Sequence, residues 1–181
     1  LQIQVKPMKK VNKHNFQNWA VLCMAFFFLA FTSDKISPRL QQKLESAVQT
    51  TFEVEDFDLH AVLADLGDDH LFKIQLQEEH LGYAYLGKAP SMKDVFDYVV
   101  LFNPDLSVKK AKVLIYRENH GRQIGSQRWL KQFIGKTSDG SLEYGAEIDA
   151  ISGATISAKS MTKAVNEVLA KMKFLQVNGQ L

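Results

Sequence analysis

The residues with the clearest chemical potential lie between Asp149 and Ser160, in the segment DAISGATISAKS. A small, hydroxyl-rich turn leads here directly into a helical pattern, with Thr155 at the junction. Backbone amides at a helix N-terminus favour anionic oxygens, and Gly153 allows the backbone to approach a phosphate closely. We therefore expect a phosphate beside the Thr155 hydroxyl, with Ser157 capping the helix. The segment SGAT, taken alone, equally fits a plain helix cap.

A longer pattern around Thr155 favours the phosphate site. The spacing Asp149-x-x-Ser152-Gly153-Ala154-Thr155 resembles Asp-x-x-(Ser/Thr)-Gly-Ala-(Thr/Ser), the flavinylation motif of the FMN-binding domain family. That family includes the flavin-carrying subunits of the sodium-pumping NADH:quinone reductase and of the Rnf electron-transport complex. With five fixed positions, we expect a chance match in such a chain less often than about once in a thousand.

Two further segments resemble the same family. The stretch ENHGRQIGS (118–126) is similar to its loop of the Glu-Thr-Pro-Gly type, with Asn-His in place of Thr-Pro. The helical pattern that follows contains Trp129 and ends in Phe-x-Gly-Lys, as in the family. GYAYLG (82–87) is similar to the family's glycine-led early strand, so the resemblance covers residues 81–172.

The resemblance implies that FMN is the cofactor and that Thr155 is its attachment point. In the family, a flavin transferase joins the phosphate of FMN to the last hydroxyl residue of the motif as a phosphoester. On this resemblance Ser152, Gly153 and Ala154 shape the phosphate turn. Asp149 belongs to the sequence that the transferase recognises.

The resemblance also implies that Glu118, His120 and Gly121 line the isoalloxazine ring, although His120 equally fits a plain turn residue. The implied function is electron transfer through covalent FMN, with membrane-bound electron-transfer subunits as partners. The sequence contains no second motif for NADH or quinone, and we assign no catalytic residue. Whether the protein is a subunit of an oxidoreductase stays open.

Two other functions remain compatible with the sequence. A binding module could hold FMN or another phosphorylated ligand noncovalently at the same turn. The chain could also be an assembly subunit of a membrane redox complex whose flavin site has decayed. Flavin that survives denaturation distinguishes the covalent flavoprotein from both.

The net charge of +2 hides an uneven distribution. Four of the 22 basic residues precede residue 14, namely Lys6, Lys9, Lys10 and Lys13. The remainder carries 18 basic against 20 acidic residues, so it offers no basic face for a phosphate backbone. We therefore expect no nucleic-acid partner.

An uncharged segment follows the basic cluster, from Asn15 to Ser33, and within it Trp19 to Phe31 is wholly apolar. As a helix it would span about 28 Å, close to the hydrocarbon thickness of a bilayer. It fits an uncleaved anchor, a signal peptide cut near residues 30–32, or a buried core helix. Since the lysines lie on its N-terminal side, we expect the N-terminus in the cytoplasm and the body on the periplasmic or extracellular side of the cytoplasmic membrane.

Beyond this segment the pattern predicts an α+β domain with a mainly antiparallel sheet flanked by helices. A helix is predicted to begin at Ser37-Pro38 and to bury Leu40, Leu44, Ala47 and Val48. Strands are predicted at 71–77 and 82–87, twice within 95–119 around a turn at 103–105, and near 142–148. Helical spacing returns at 126–136 and in a last helix with a stripe of Met161, Val165, Val168, Leu169 and Met172.

The predicted organisation has four parts: a basic segment (1–14), an anchor or signal segment (15–33), an N-terminal part of the exported domain (34–80) and the FMN-binding core (81–175). We make no structural prediction for residues 53–69. We also expect no metal site, because His60, His70 and His80 are ten residues apart and match no ligand spacing.

Overall fold

Five antiparallel strands form a single sheet and lie in it in the same order as in the chain. Their bounds are Asp58–Ala61 (β1), His70–Leu76 (β2), Glu79–Pro90 (β3), Val95–Phe102 (β4) and Val108–Ile115 (β5). The structure is a computed structural model and describes residues 36–181. The predicted α+β class with a mainly antiparallel sheet is confirmed for this part of the chain.

Within residues 36–181, three helices accompany the sheet: Pro38–Phe52 (α1), Gln127–Leu130 (α2) and Thr155–Val177 (α3). The helical spacing predicted at 126–136 yields only the short α2 and a following 3₁₀ turn, Lys131–Phe133. Gly135, with a φ of +76°, follows this turn and is incompatible with a continued helix.

Different helices cover the two faces of the sheet. One hydrophobic cluster joins α1 to strand residues such as Val99 and Leu101. A second cluster joins α3 and the region around α2 to the alternate residues, among them Val100 and Phe102. The division follows from the two-residue period of a strand, which sends successive side chains to opposite faces.

The start of α1 agrees with the sequence prediction. The Ser37 side chain accepts a hydrogen bond from the Leu40 amide at 3.4 Å, and Pro38 is the first helical residue. The predicted apolar face is buried, and it consists of Leu40, Leu44, Ala47 and Val48.

The last helix, α3, carries the motif threonine at its first position. Its predicted stripe is buried against the sheet, and it consists of Met161, Val165, Val168, Leu169 and Met172. Because this stripe anchors α3 to the second face of the sheet, the N-terminus of α3 is held in a fixed position relative to β3–β5.

Two segments differ from the sequence prediction or extend it. The strand predicted near 142–148 is only an isolated bridge between Tyr144 and Ile148. Asn166 of α3 satisfies part of this segment instead, because its side chain accepts from the Leu142 amide at 2.8 Å and donates to the Leu142 carbonyl. The segment without a prediction, residues 53–69, contains β1, whose side chains are mostly exposed.

The predicted basic segment (1–14) and anchor or signal segment (15–33) lie outside the described residues. Among residues 36–181, none of the helices combines the length and the apolar character that a membrane span requires.

Candidate functional site

A groove of about 200 Å³ opens beside the N-terminus of α3. It is formed by the turn between β3 and β4, by the loop after β5, and by the turn that leads into α3. The lining residues are Met92, Tyr116, Glu118, His120, Gly121, Gly153, Ala154, Thr155, Ile156 and Ser157. The structure thus brings the motif threonine together with the loop residues that the sequence assigned to the same site.

The start of α3 leaves backbone amides without partners inside the helix. Ala154 precedes the helix and provides no side-chain cap. The Ala158 amide donates to the Ala154 carbonyl at 2.8 Å. The amides of Thr155, Ile156 and Ser157 come before this bond and have no acceptor within the helix. They can therefore bind the oxygens of an anion at the end of the groove.

Ser157 does not cap α3, so that prediction is wrong. Its side chain is buried, and its Oγ lies 3.0 Å from the hydroxyl of Tyr116, directly after β5. The helix begins three residues earlier than a Ser157 cap requires, so Ser157 lies inside the first turn, on its buried side. The hydroxyl pair therefore connects the start of α3 to the end of β5.

Two glycines allow the loop and the turn to approach each other. Gly121 and Gly153 have φ values of +78° and +79°, in a region that favours glycine. A Cβ at Gly121 would lie 2.6 Å from the Tyr116 hydroxyl and 3.4 Å from the Gly153 carbonyl oxygen. A Cβ at Gly153 would lie 3.2 Å from Nε2 of Gln123. The width of the groove therefore depends on the absence of both side chains.

Glu118 lines the groove and also holds the neighbouring turn. Its Oε1 accepts hydrogen bonds from the Ser91 hydroxyl, from the Lys93 amide at 2.7 Å and from the Asp94 amide at 3.4 Å. The Ser91 hydrogen bond, and next the Lys93 amide, hold the pKa of Glu118 below its usual value. At neutral pH an ionised Glu118 therefore connects the loop after β5 to the turn between β3 and β4.

Thr155 and His120 are both exposed at the groove. Exposure leaves the Thr155 hydroxyl accessible to a modifying enzyme. It also leaves the His120 imidazole accessible to a ligand in the groove.

Asp149 and Ser152, the other polar residues of the motif, are exposed and do not line the groove. The main chain of Asp149 is nevertheless fixed. Its carbonyl accepts from Nε1 of Trp129 at 2.7 Å, and its amide donates to Oε1 of Gln132 at 2.8 Å. The start of the motif is therefore attached to the region of α2.

Sequence reasoning did not select Met92, Tyr116 and Ile156 as lining residues. Met92 and Tyr116 lie far from the motif in the chain, and only the folded sheet brings them to it. A usable signal existed for Ile156, because it follows Thr155 directly and a residue in the first turn of a helix lies beside any ligand at the helix terminus.

The lining residues fit a phosphorylated ligand with an apolar body. Free amides and Gly153 suit the phosphate, whereas Met92 and Ile156 offer apolar surface. The volume of about 200 Å³ is smaller than the roughly 300–1,000 Å³ of enclosed small-molecule sites. A ligand as large as a flavin mononucleotide would therefore stay partly exposed to solvent.

Comparison with known protein families matches residues 92–170 to the FMN-binding domain. Every residue that lines the groove lies within this range. The family resemblance inferred from the motif is thus confirmed. No curated protein matches the chain.

Proposed function

Since residues 92–170 are an FMN-binding domain, we propose that the protein is a membrane-tethered, exported flavoprotein that carries electrons through FMN attached covalently to Thr155. One observation supports covalent attachment above all others. Thr155 is the first residue of α3, it is exposed, it lines the groove, and its own amide is among those without an acceptor within the helix.

Attachment requires a flavin transferase and FAD as the donor. The Thr155 Oγ forms a bond to the phosphorus on the FMN side of the FAD pyrophosphate. The pyrophosphate P–O bond breaks, AMP leaves, and the hydroxyl proton is released. The chain therefore gains the mass of FMN less one water.

The residues around Thr155 have separate roles in this proposal. The amides at the start of α3 stabilise the charge that remains on the phosphoester, and Gly153 permits its close approach. Asp149, exposed and with a fixed main chain, is available to the transferase. The flavin supplies the redox chemistry, and the protein binds it and tunes its potential.

His120 and Gly121 belong to the ring end of the groove in this proposal. A Cβ at Gly121 would lie 3.4 Å from the Gly153 carbonyl oxygen, so Gly121 lies close to the attachment turn. His120 is exposed there and can contact the flavin edge. Since a partly covered ring exposes an edge, an electron-transfer partner can approach it directly.

The proposed location and partners rest on the sequence. The lysines before residue 14 and the apolar segment 15–33 support an N-terminus in the cytoplasm and a domain outside the cytoplasmic membrane. The corresponding partners are a flavin transferase and membrane-bound electron-transfer subunits of the Rnf or sodium-pumping NADH:quinone reductase type.

Noncovalent binding of FMN is the second candidate function. The free amides of α3 and the positive φ of Gly153 would hold the phosphate of FMN equally well without a bond to Thr155. This alternative predicts flavin that is lost when the protein unfolds.

The test is co-expression of the full chain with a flavin transferase, followed by denaturing electrophoresis and intact-mass measurement. We expect a fluorescent band and the added mass in the wild type, partial modification in Thr155→Ser, and none in Thr155→Ala. Loss of the hydroxyl at the helix start should lower the free energy of unfolding by at most about 1–2 kcal/mol, so the domain stays folded.

Thr137→Ala is the matched control, because it removes a threonine hydroxyl that does not line the groove. It should be modified as fully as the wild type. Covalent flavin on Thr155→Ala, or an unmodified wild type under competent conditions, would contradict covalent attachment at Thr155. Flavin that copurifies but is released on denaturation would support the noncovalent alternative.

A further inference from the structure

Two large apolar side chains are exposed at the same groove. Met92 is 68% exposed and Ile156 is 52% exposed, and both line it. Single exposed apolar residues are common on protein surfaces, but two of them from separate segments that line one groove form a defined apolar surface.

The two side chains come from different elements that line the groove. Ile156 is the second residue of α3, next to Thr155. Met92 belongs to the turn between β3 and β4. The groove therefore combines the free amides of α3 with apolar side chains in its lining, which suits a flat apolar ring connected to a phosphate.

The turn that carries Met92 is fixed on both sides of that residue. The Ser91 amide donates to the Asp94 carbonyl at 2.7 Å and closes the turn. Glu118 then accepts from the Ser91 hydroxyl and from the Lys93 amide, the two immediate neighbours of Met92 in the chain. Since Glu118 belongs to the loop after β5, it determines where Met92 lies relative to the groove.

We propose that Met92 and Ile156 cover the isoalloxazine ring from the two sides of the groove, and that Glu118 is a positioning residue that holds Met92 in place. This inference rests on the proposed function, because it takes FMN as the ligand. In this proposal Glu118 affects the ring through the turn that carries Met92, whereas the family resemblance implied that Glu118 contacts the ring directly.

Apolar cover has two measurable consequences for the flavin. It limits the access of water and soluble quenchers to the ring. It also disfavours the negative charge that reduction adds, because a charge is less stable where it is less solvated. Removal of the cover should therefore raise both the quenching of flavin fluorescence and the midpoint potential.

The experiment uses the flavinylated full chain and the variants Met92→Ala, Ile156→Ala, Glu118→Gln and Met92→Leu. Met92→Ala and Ile156→Ala should each raise the iodide quenching constant about twofold, because one of two apolar walls is lost. Both should shift the midpoint potential upward. Met92→Leu keeps an apolar wall of similar volume and should behave as the wild type.

Leu63→Ala is the matched control, because Leu63 is 91% exposed and does not line the groove. It should change neither measurement. Glu118→Gln should reproduce part of the Met92→Ala effect. In a Met92→Ala background, however, it should not raise the quenching constant further, because the two residues shield the ring through one side chain.

Unchanged quenching and potential in Met92→Ala, with the covalent flavin present by mass, would overturn the proposed cover. A full additional effect of Glu118→Gln on the quenching constant in the Met92→Ala background would assign Glu118 to the ring itself and overturn its positioning role.

Absence of covalent flavin from the wild type would count against the proposed function and not against the cover. The same variants would then be titrated with free FMN. Weaker binding by Met92→Ala than by Leu63→Ala would support the apolar cover, and equal binding would overturn it.

Discussion

Two glycines with a positive φ bring the loop after β5 into contact with the turn before α3. At these positions the backbone shapes the groove, because a side chain on either glycine would fill the space between the two segments. Thr155 follows Gly153 by two residues and is exposed at the groove that these glycines leave open. The accessibility of the Thr155 hydroxyl is thus supported by two glycines that have no side chain of their own.

Gly121→Ala should destabilise the domain and reduce its flavin content. The new Cβ would lie 2.6 Å from the Tyr116 hydroxyl, and the residue would keep a φ of +78°. A left-handed conformation costs an alanine about 1–2 kcal/mol, to which the displacement of Tyr116 adds. The measurement is the urea unfolding midpoint together with flavin loading.

Gly140→Ala is the control for Gly121→Ala, because a Cβ at Gly140 would meet no atom within 4 Å and the φ of Gly140 is not positive. It should leave the unfolding midpoint and the flavin content at the wild-type values. Equal stability of the two variants would contradict the close approach of the loop to the turn.

The elements around the groove are connected by a small number of polar contacts. The Tyr116–Ser157 hydroxyl pair joins β5 to α3, and Glu118 joins the loop after β5 to the turn between β3 and β4. Trp129 attaches the start of the motif to α2. Each contact connects segments that are distant in the chain, so the groove is a product of the assembled elements.

Tyr116→Phe should lower the free energy of unfolding more than Ser157→Ala does. The phenylalanine leaves the buried Ser157 hydroxyl without its partner, which costs about 1–3 kcal/mol. In Ser157→Ala the Tyr116 hydroxyl loses its partner, but Tyr116 is only half-buried and its hydroxyl can hydrogen-bond to water instead, so the loss of stability is smaller.

Urea unfolding of both variants and of the double variant tests this pair. The double variant should be more stable than the sum of the two single losses predicts, because both act on one hydrogen bond. Strict additivity would mean that the two hydroxyls do not interact in solution.

The sequence predicted α1 and α3 well, because a cap, a helical stripe and a motif at the helix start are local patterns. It also located Thr155 correctly at the junction between the turn and α3, although a cap at Ser157 would have started the helix three residues later. Met92 and Tyr116 were not predicted to line the groove, because only strand pairing brings them to the motif. Ser157 was misassigned as a cap because serine suits both a cap and a buried hydroxyl pair, and tertiary packing decides between them.

At the scale of the whole molecule, the two ends of the sequence differ in charge. Basic residues without acidic ones precede residue 14, and the remainder is slightly acidic. Such asymmetry around an apolar segment favours the basic end on the cytoplasmic side of a membrane, which supports the proposed export of the domain.

We therefore expect protease added outside intact cells, or outside spheroplasts where an outer membrane intervenes, to digest the domain while a cytoplasmic marker stays intact. Replacement of Lys6, Lys9, Lys10 and Lys13 by glutamine should reduce this accessibility, because the charge that retains the N-terminus is lost. Replacement of Lys109 and Lys110 within β5 is the control and should leave it unchanged. A folded domain that is protected from outside and digested only after cell lysis would contradict export.

The strand order also determines when the groove can form during synthesis. Each strand from β2 to β5 pairs with the strand immediately before it in the chain, so the sheet can grow step by step as the polypeptide emerges. The groove, in contrast, needs Met92, the loop after β5 and the start of α3, and α3 is the last element to appear. Thr155 therefore acquires its final surroundings only when the rest of the domain has folded. Covalent flavin would then be found only on chains whose domain had completed folding.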